Sequence, residues 1–147
     1  MNMENLNCES QTEAREGRPW YVIAAVADLM FTAKISSAAK LAGCTIKFIQ
    51  QQDRLLAALR EAPSESAPLL IVDLNHVTLK PVEFIASVRS TPGVAATPVL
   101  AYLSHTQVDL KRAAEQAGCD LVLPRSVFSQ NINEILRRQS CHLPSLQ

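Results

Sequence analysis

The chain has 147 residues, of which 48% are hydrophobic, and this is enough to bury the core of one domain of common size. The charges of its 14 basic and 14 acidic residues cancel, so no net electrostatic field attracts the chain to nucleic acid or to anionic lipid. Because residues 1–18 lack the pattern of a secretory signal, and no segment approaches the roughly 20 apolar residues of a membrane helix, we expect a soluble cytoplasmic protein.

Apolar strand-like runs recur at intervals of roughly two dozen residues, with helical patterns between them, which is typical of βα repeats and a parallel sheet. The predicted strands are 21–27, 45–50, 69–74, 98–103 and 121–123. The first, third and fourth runs are unbroken and predict interior strands. Lys47 interrupts the second run, which therefore suits a strand nearer an edge.

Helical spacing of apolar residues predicts the connecting helices. These are 29–42, 53–61 with an acidic cap, a helix beginning near Pro81, 108–117, and a last helix beginning near Ser129. Gly43 and Gly118 follow two of them as C-terminal caps. We expect one domain over residues 19–138, with a disordered polar arm at 1–18 and a flexible tail at 139–147.

Crossovers between parallel strands are right-handed, and helices must cover both faces of the sheet. Five βα units in one short domain therefore predict an α/β, doubly wound, flavodoxin-like sheet with strand order 2-1-3-4-5. Ligands of such sheets bind at the carboxyl ends of the strands. Asp28 follows the first strand there, Asp73 and Asn75 the third, Ser104 the fourth and Arg125 the fifth.

The four cysteines, Cys8, Cys44, Cys119 and Cys141, are scattered and show no C-x-x-C spacing. This favours reduced thiols in a cytosolic protein over a zinc site or a redox pair.

Three motifs carry a resemblance to a known family. They are Leu-Ile-Val-Asp-Leu-Asn at 70–75, Thr-Pro-Val-Leu-Ala-Tyr-Leu-Ser at 97–104, and Glu-Gln-Ala-Gly-Cys-Asp-Leu-Val-Leu-Pro-Arg at 115–125. With them, the segment 21–138 resembles the receiver domain of bacterial two-component response regulators. In that family the third-strand aspartate accepts a phosphoryl group from a histidine kinase, and a pair of acids after the first strand holds Mg²⁺.

The resemblance implies a role for each residue at this edge. Asp73 would be the phospho-acceptor, and Asp28, Asp73 and the backbone carbonyl of Asn75 would hold Mg²⁺. Ser104 and Arg125 would bind the phosphoryl oxygens, in the places of the family's hydroxyl and lysine.

Departures from the family pattern predict that this apparatus is impaired. Val26-Ala27-Asp28 retains at most one carboxylate of the acid pair, and each lost anionic ligand weakens a Mg²⁺ site. Arg125 has a planar guanidinium group at the position where the family has the compact ammonium group of a lysine. The family's hydroxyl residue at the end of the fourth strand aligns with Leu103, so Ser104 lies one position after it. The aromatic residue of the family's fifth strand aligns with Val122.

Other roles remain open for the same residues. Asp73 can form an Asx turn with the loop that follows, and Asp28 can cap the helix that begins at Leu29. Arg125 can pair with either acid as an internal cation in place of the metal. His76 and His105 could instead form a transition-metal site with Asp73.

We therefore predict a stand-alone pseudo-receiver that acts in two-component signalling or a phosphorelay by protein–protein interaction. It would not be an enzyme, and Ser104-His105 in particular lacks the Gly-x-Ser-x-Gly elbow of a hydrolase. It would need no cofactor unless phosphorylation with Mg²⁺ persists. Partners would be a histidine kinase, another regulator or a second copy, with no nucleic acid and no membrane. The predicted interaction surface comprises Lys111, Arg112, Glu115, Glu134, Arg137 and Arg138.

Two alternatives differ in class. The first is a phosphorylation-competent receiver with Asp73 as the acceptor. The second is a flavodoxin-like domain that binds or transforms a small molecule. The second lacks the glycine-rich first loop that phosphate-bearing cofactors favour, since residues 27–31 contain no glycine.

Overall fold

The computed structural model describes residues 19–63, 66–104, 107–138 and 143. Strands and helices alternate along them. They are β1 (Trp20–Ala25), α1 (Leu29–Ala42), β2 (Thr45–Phe48), α2 (Gln52–Arg60), β3 (Ala67–Asp73), α3 (Pro81–Ser90), β4 (Val99–Leu103), α4 (Val108–Ala117), β5 (Leu121–Pro124) and α5 (Arg125–Arg137). The predicted arm at 1–18, and the predicted tail at 139–147 apart from residue 143, lie outside the described residues.

The strands form one parallel sheet in the order β2-β1-β3-β4-β5, which confirms the predicted doubly wound α/β fold. Strands β1 and β4 are buried along their whole length, and β3 is buried except at Pro68. Strand β2 alternates between exposed and half-buried residues at the edge of the sheet. Lys47 lies there with its Nζ atom 5.7 Å from the ring centroid of Tyr21 on β1, which agrees with the predicted edge position.

Helices cover both faces of the sheet. On one face, α2, α3 and α4 pack Leu55, Phe84 and Ala114 against the sheet. On the other, α1 and α5 pack Ile35 and Phe128 against it. These two apolar layers hold the sheet rigidly, so the loops at its carboxyl edge project from a fixed base. Among the residues that the structure describes, no helix is long and apolar enough to cross a membrane.

Two helix starts differ from the predictions. Gln51 is the N-cap of α2 and makes no side-chain cap bond, so Asp53 lies in the first turn and the predicted acidic cap is wrong. Helix α5 begins at Arg125, one turn before the predicted start near Ser129. Its apolar stripe begins already at Phe128, and Pro124, the last residue of the preceding strand, is its N-cap with φ −58° and ψ 149°.

Arg89 links several chain segments at the edge of the sheet where β4 and β5 begin. Its guanidinium donates hydrogen bonds to the carbonyls of Gly118 (2.9 Å), Ala95 (2.9 Å) and Thr97 (2.7 Å). It also forms an ion pair with Asp120 at 2.7 Å, and the same carboxylate oxygen accepts the backbone N–H of Val99. One side chain thereby fixes the end of α3 to the start of β4 and the turn before β5.

Candidate functional site

Asp28 and Arg125 meet at the carboxyl edge of the sheet. Nη2 of Arg125 lies 3.4 Å from Oδ2 of Asp28, and the guanidinium carbon lies 5.0 Å from the ring centroid of Phe31. The two charged side chains are 38% and 39% exposed, so water screens the pair in part. The predicted pairing of Arg125 with an acid of this edge is confirmed, and the acid is Asp28.

Asp28 has a second contact that fixes its position. Its Oδ1 accepts the backbone N–H groups of Met30 (2.8 Å) and Phe31 (3.1 Å), which confirms the predicted N-cap of α1. The carboxylate therefore satisfies the first turn of a helix with one oxygen and contacts a guanidinium with the other.

Asp73 is the last residue of β3 and is only 6% exposed. Its Oδ1 accepts the backbone N–H of Asn75 at 2.8 Å, which is the predicted Asx turn. Burial raises the pKa of Asp73, while the hydrogen bond from Asn75 and the positive charge of Arg125 act in the opposite direction. Asp28 and Asp73 are thus close enough to influence each other, and Arg125 acts on both.

Asn75 joins two neighbouring loops through its side chain. Its Nδ2 donates to Oε1 of Gln107 at 2.7 Å, and its Oδ1 accepts the backbone N–H of Ser104 at 3.1 Å. The Ser104 hydroxyl also donates to this oxygen, at 3.4 Å. Ser104 is thus held by Asn75, and the structure gives it no hydrogen bond to the Asp73 carboxylate among the described residues. The proposed metal contact through the Asn75 carbonyl remains a prediction.

His76 takes part in a network that the sequence did not reveal. Its Nδ1 accepts the backbone N–H groups of Leu79 (3.1 Å) and Thr78 (3.3 Å), so the ring carries its proton on Nε2. Nε2 donates to Oε1 of Gln50 at 2.6 Å, and Gln50 in turn donates to the carbonyl of Val26. Both ring nitrogens are therefore occupied within the protein.

The alternative transition-metal site of His76, His105 and Asp73 remains a prediction. His105 lies outside the described residues. Within the described ranges no group of three or more His, Cys, Asp or Glu side chains is placed to hold a metal ion.

A cluster of three aromatic rings lies behind the acidic edge. The ring of Tyr102 stacks on those of Phe31 and Phe128, with centroid separations of 4.8 and 4.5 Å, and the Phe31 and Phe128 centroids are 5.9 Å apart. It pairs in register with Asp73, and neighbours in register on a parallel sheet point to the same face. Among the described residues, the buried Tyr102 hydroxyl and the buried Nε of Arg125 have no hydrogen-bond partner. Burial raises the pKa of Tyr102, and the negative charge of Asp73 is the second largest cause of this increase.

The sequence placed Tyr102 in a receiver-like motif but not in the site. Its pairing with Asp73 could have been found only from the register between β3 and β4. The same limit applies to Gln50, because its contacts with Val26 and His76 depend on how the loops after three different strands meet.

A divalent cation does not fit these residues well. Mg²⁺ needs carboxylate oxygens in octahedral geometry, and one of the two acids here is already engaged by a helix cap and a guanidinium. A metal ion beside Asp28 would also meet the positive charge of Arg125 at close range. The residues present thus fit an internal ion pair better than a magnesium site.

The interaction residues predicted from the sequence lie on α4 and α5. Arg112 and Glu115 are exposed on α4. On α5 and just after it, Glu134 forms ion pairs with both Arg137 and Arg138. The two helices follow β4 and β5, as predicted, and the binding role of this surface remains a prediction.

Comparison with known proteins gives a structural answer and no sequence match. No family model and no curated protein matches the chain. Among solved structures it resembles the chemotaxis response regulator CheY4 of Vibrio cholerae at 20% identity and a TM-score of 0.66, over 82% of this chain and 98% of that one.

Two further solved structures show the same likeness. One is a response regulator from Chloroflexus aurantiacus, with 16% identity and a TM-score of 0.66 over 78% of this chain and 91% of that one. The other is the Mn²⁺-bound form of response regulator Rcp1, with 14% identity and a TM-score of 0.66 over 86% and 99%. The chain therefore has the fold of response-regulator receiver domains.

Proposed function

We propose that this chain is a receiver-like domain of two-component signalling that acts by binding other proteins, without phosphorylation of Asp73. It would not be an enzyme and would need no cofactor. The receiver fold supports the signalling class. The observation that carries the loss of phosphorylation is the ion pair between Arg125 and Asp28, which lies where a receiver would need a free acid.

The chemistry of phosphoryl transfer explains why this ion pair matters. The protein's contribution to that reaction consists mainly of positioning and of neutralising charge on the transferred group. Here Asp28 supplies one carboxylate in place of an acid pair, and it is engaged on both oxygens. Ser104 is held by Asn75. With several groups misplaced together, transfer to Asp73 should be absent or slow.

The same contacts favour a single conformation of the edge. Arg125 at the start of α5 contacts both Asp28 and the ring of Phe31 on α1, so the ends of two helices are joined across the site. A receiver held in this way would present a constant surface to a kinase, another regulator or a second copy. The surface on α4 and α5 that contains Arg112 and Glu115 is our candidate for this contact.

Phosphorylation can be tested directly. The full chain is incubated with a small acyl phosphate and Mg²⁺, and its intact mass is measured, with the Asp73→Asn variant as the matched control. We expect no adduct in either protein. A labile phosphoryl adduct on the wild type that is absent from Asp73→Asn would overturn the proposal.

That second outcome would support the alternative, a phosphorylation-competent receiver. The observation in its favour is the position of Asp73 at the end of β3, within electrostatic reach of Asp28 and Arg125. In that case Ser104 and Arg125 would have to turn towards the phosphoryl oxygens. The adduct would then disappear or weaken in Arg125→Ala, which removes the cation and keeps Asp73.

A further inference from the structure

The outer side of β2 is an open edge of the sheet. The strand order ends at β2, and no strand of the described ranges pairs with its outer side. The N–H of Ile49, directly after β2, donates to the carbonyl of Ala24 on β1 at 3.0 Å. Because backbone groups alternate in direction along a strand, the N–H and C=O groups of Ile46 and Phe48 point away from β1. They form the row of backbone groups that an edge strand offers to a further strand.

The two edges of the sheet differ in exposure. Three of the four residues of β5, at the other edge, are buried. In β2 no residue is buried, since Thr45 and Lys47 are exposed and Ile46 and Phe48 are half-buried. Ile46 and Phe48 pack against the core on the side of α1 and α5. An added strand would therefore meet apolar side chains on one face of the sheet and Lys47 on the other.

A groove lies beside this edge on the face that carries Lys47. Its volume is about 450 Å³, and it runs between β2 and α2. Helix α2 lines it with Arg54, Ala57, Ala58 and Glu61, which are spaced as one face of a helix. The two alanines leave room for the side chains of a strand added at β2.

The charges around the groove favour an acidic occupant. Lys47 and Arg54 are positive, and Glu61, which is close enough to act on Lys47, is negative. The exposed Asp53 and Arg60 of α2 do not line the groove, and their charges cancel. The lining therefore carries one more positive than negative charge, and a carboxylate placed there would be attracted.

A second copy of the chain fits this edge poorly. The antiparallel pairing that uses every outward backbone group of two β2 strands sets Ile46 opposite Phe48 and Lys47 opposite Lys47. Like charges directly opposite each other in a sheet are destabilising. Lys47 therefore opposes pairing between two copies, as lysine does on other edge strands, but it would stabilise a strand with an acid at this position.

From the outward backbone groups of β2 and the basic groove beside them, we propose that this edge binds an extended segment of a partner protein by strand addition. The segment places apolar side chains beside Ile46 and Phe48 and an acidic side chain beside Lys47 and Arg54. Main-chain hydrogen bonds give affinity, and the alternation of side chains gives specificity. This inference goes beyond the proposed function, because the β2 edge is separate from the surface on α4 and α5 and does not depend on Asp73.

The test uses the full chain and a short synthetic peptide of alternating valine and glutamate. We expect saturable binding that slows hydrogen exchange at the backbone N–H groups of Ile46 and Phe48. The N–H of Ile49 is already bonded to β1, so its exchange rate should change little. A peptide with lysine in place of glutamate should bind about tenfold more weakly, because it sets like charges opposite Lys47.

N-methylation of the peptide tests the main-chain contacts separately. Methyl groups on every second residue remove the N–H donors from one side of an extended peptide. Methylation of the set that faces β2 should abolish binding, and methylation of the other set should not. Equal tolerance of both sets would show that side chains alone make the contact, and this would overturn the inference.

Two charge reversals complete the test. Lys47→Glu should reverse the preference between the two peptides. Lys34→Glu is the matched control, since Lys34 is exposed on α1, which covers the other face of the sheet, and its binding should equal that of the wild type.

Binding of neither peptide, equal binding of both, or protection confined to α4 and α5 would overturn the inference. So would self-association of the wild type that slows exchange at Ile46 and Phe48 without peptide. These readouts are independent of the phosphoryl adduct measured by mass, so failure here leaves the proposed function standing.

Discussion

The guanidinium of Arg125 and the carboxylate of Asp28 form an ion pair at 3.4 Å across the carboxyl edge of the sheet. The two residues are separated by 97 positions in the chain and begin or cap two different helices. A cation supplied by the protein thus lies at the acidic edge, where receivers would place a metal ion. This relationship is the physical basis of the proposed pseudo-receiver.

The two contacts of Asp28 can be separated by substitution. Asp28→Asn retains a side-chain oxygen for the Met30 and Phe31 amides but removes the half-exposed ion pair, so we expect a loss of under about 1 kcal/mol in the free energy of unfolding. Asp28→Ala also removes the cap and should cost about 1 kcal/mol more. Denaturant unfolding measures both. Equal losses in the two variants would show that the cap contributes little.

The stability of the domain should depend on the ionisation of Asp73. Burial raises the pKa of Asp73 in the folded protein above the ordinary aspartate value of about 3.9. The protonated carboxyl therefore contributes fully to the free energy of unfolding below about pH 3.9, and this contribution is lost as the pH rises through the raised pKa. Asp73→Asn should therefore be more stable than the wild type near pH 7, with a difference that shrinks towards pH 4. Melting temperatures across this range give the test. A variant less stable at neutral pH would contradict it.

Removing the Tyr102 hydroxyl should not destabilise the fold. The hydroxyl is buried without a described hydrogen-bond partner, and an unsatisfied buried polar group costs about 1–3 kcal/mol. Tyr102→Phe keeps the stack on Phe31 and Phe128 and should raise the free energy of unfolding by about 1 kcal/mol. A loss of similar size in denaturant unfolding would mean that the hydroxyl bonds to the Asp73 carboxylate, whose hydrogen bond and negative charge both act to raise the pKa of Tyr102.

Two glycine caps offer a matched comparison. Gly43 and Gly118 both end helices with positive φ, at 72° and 113°. A Cβ atom at Gly43 would meet nothing within 4 Å, whereas one at Gly118 would lie 2.6 Å from Cγ of Arg89. Gly43→Ala should cost about 1–2 kcal/mol for the left-handed backbone, and Gly118→Ala should cost more because it also displaces Arg89. Equal losses would show that Arg89 moves freely.

The order of elements and the location of the site could be predicted from the sequence because both depend on local patterns. Unbroken apolar runs marked the interior strands, and Lys47 marked the edge strand. Strand order then brought Asp28, Asp73 and Arg125 to one edge without any knowledge of side-chain contacts. The cap by Asp28 and the Asx turn of Asp73 were also predictable, since each involves residues within three positions in the chain.

The remaining features depend on contacts distant in the chain. The link from Gln50 to His76 and the link from Asn75 to Gln107 join loops 26 and 32 residues apart. Helix α5 begins one turn earlier than predicted, and Phe128 in this first part of the helix already packs against the sheet. The orientation of the Ser104 hydroxyl is set by its hydrogen bond to Asn75, so it could not be predicted from the position of Ser104 in the chain.

The central claim, that Arg125 takes the place of a divalent cation at Asp28, is tested most directly by titrating the full wild-type chain with Mg²⁺ while following the backbone amide signals of Asp28 and Asp73. Our account predicts no saturable change in either signal at physiological or higher Mg²⁺ concentrations. Saturable shifts of both signals at a common midpoint, with release of Arg125 from Asp28, would contradict it.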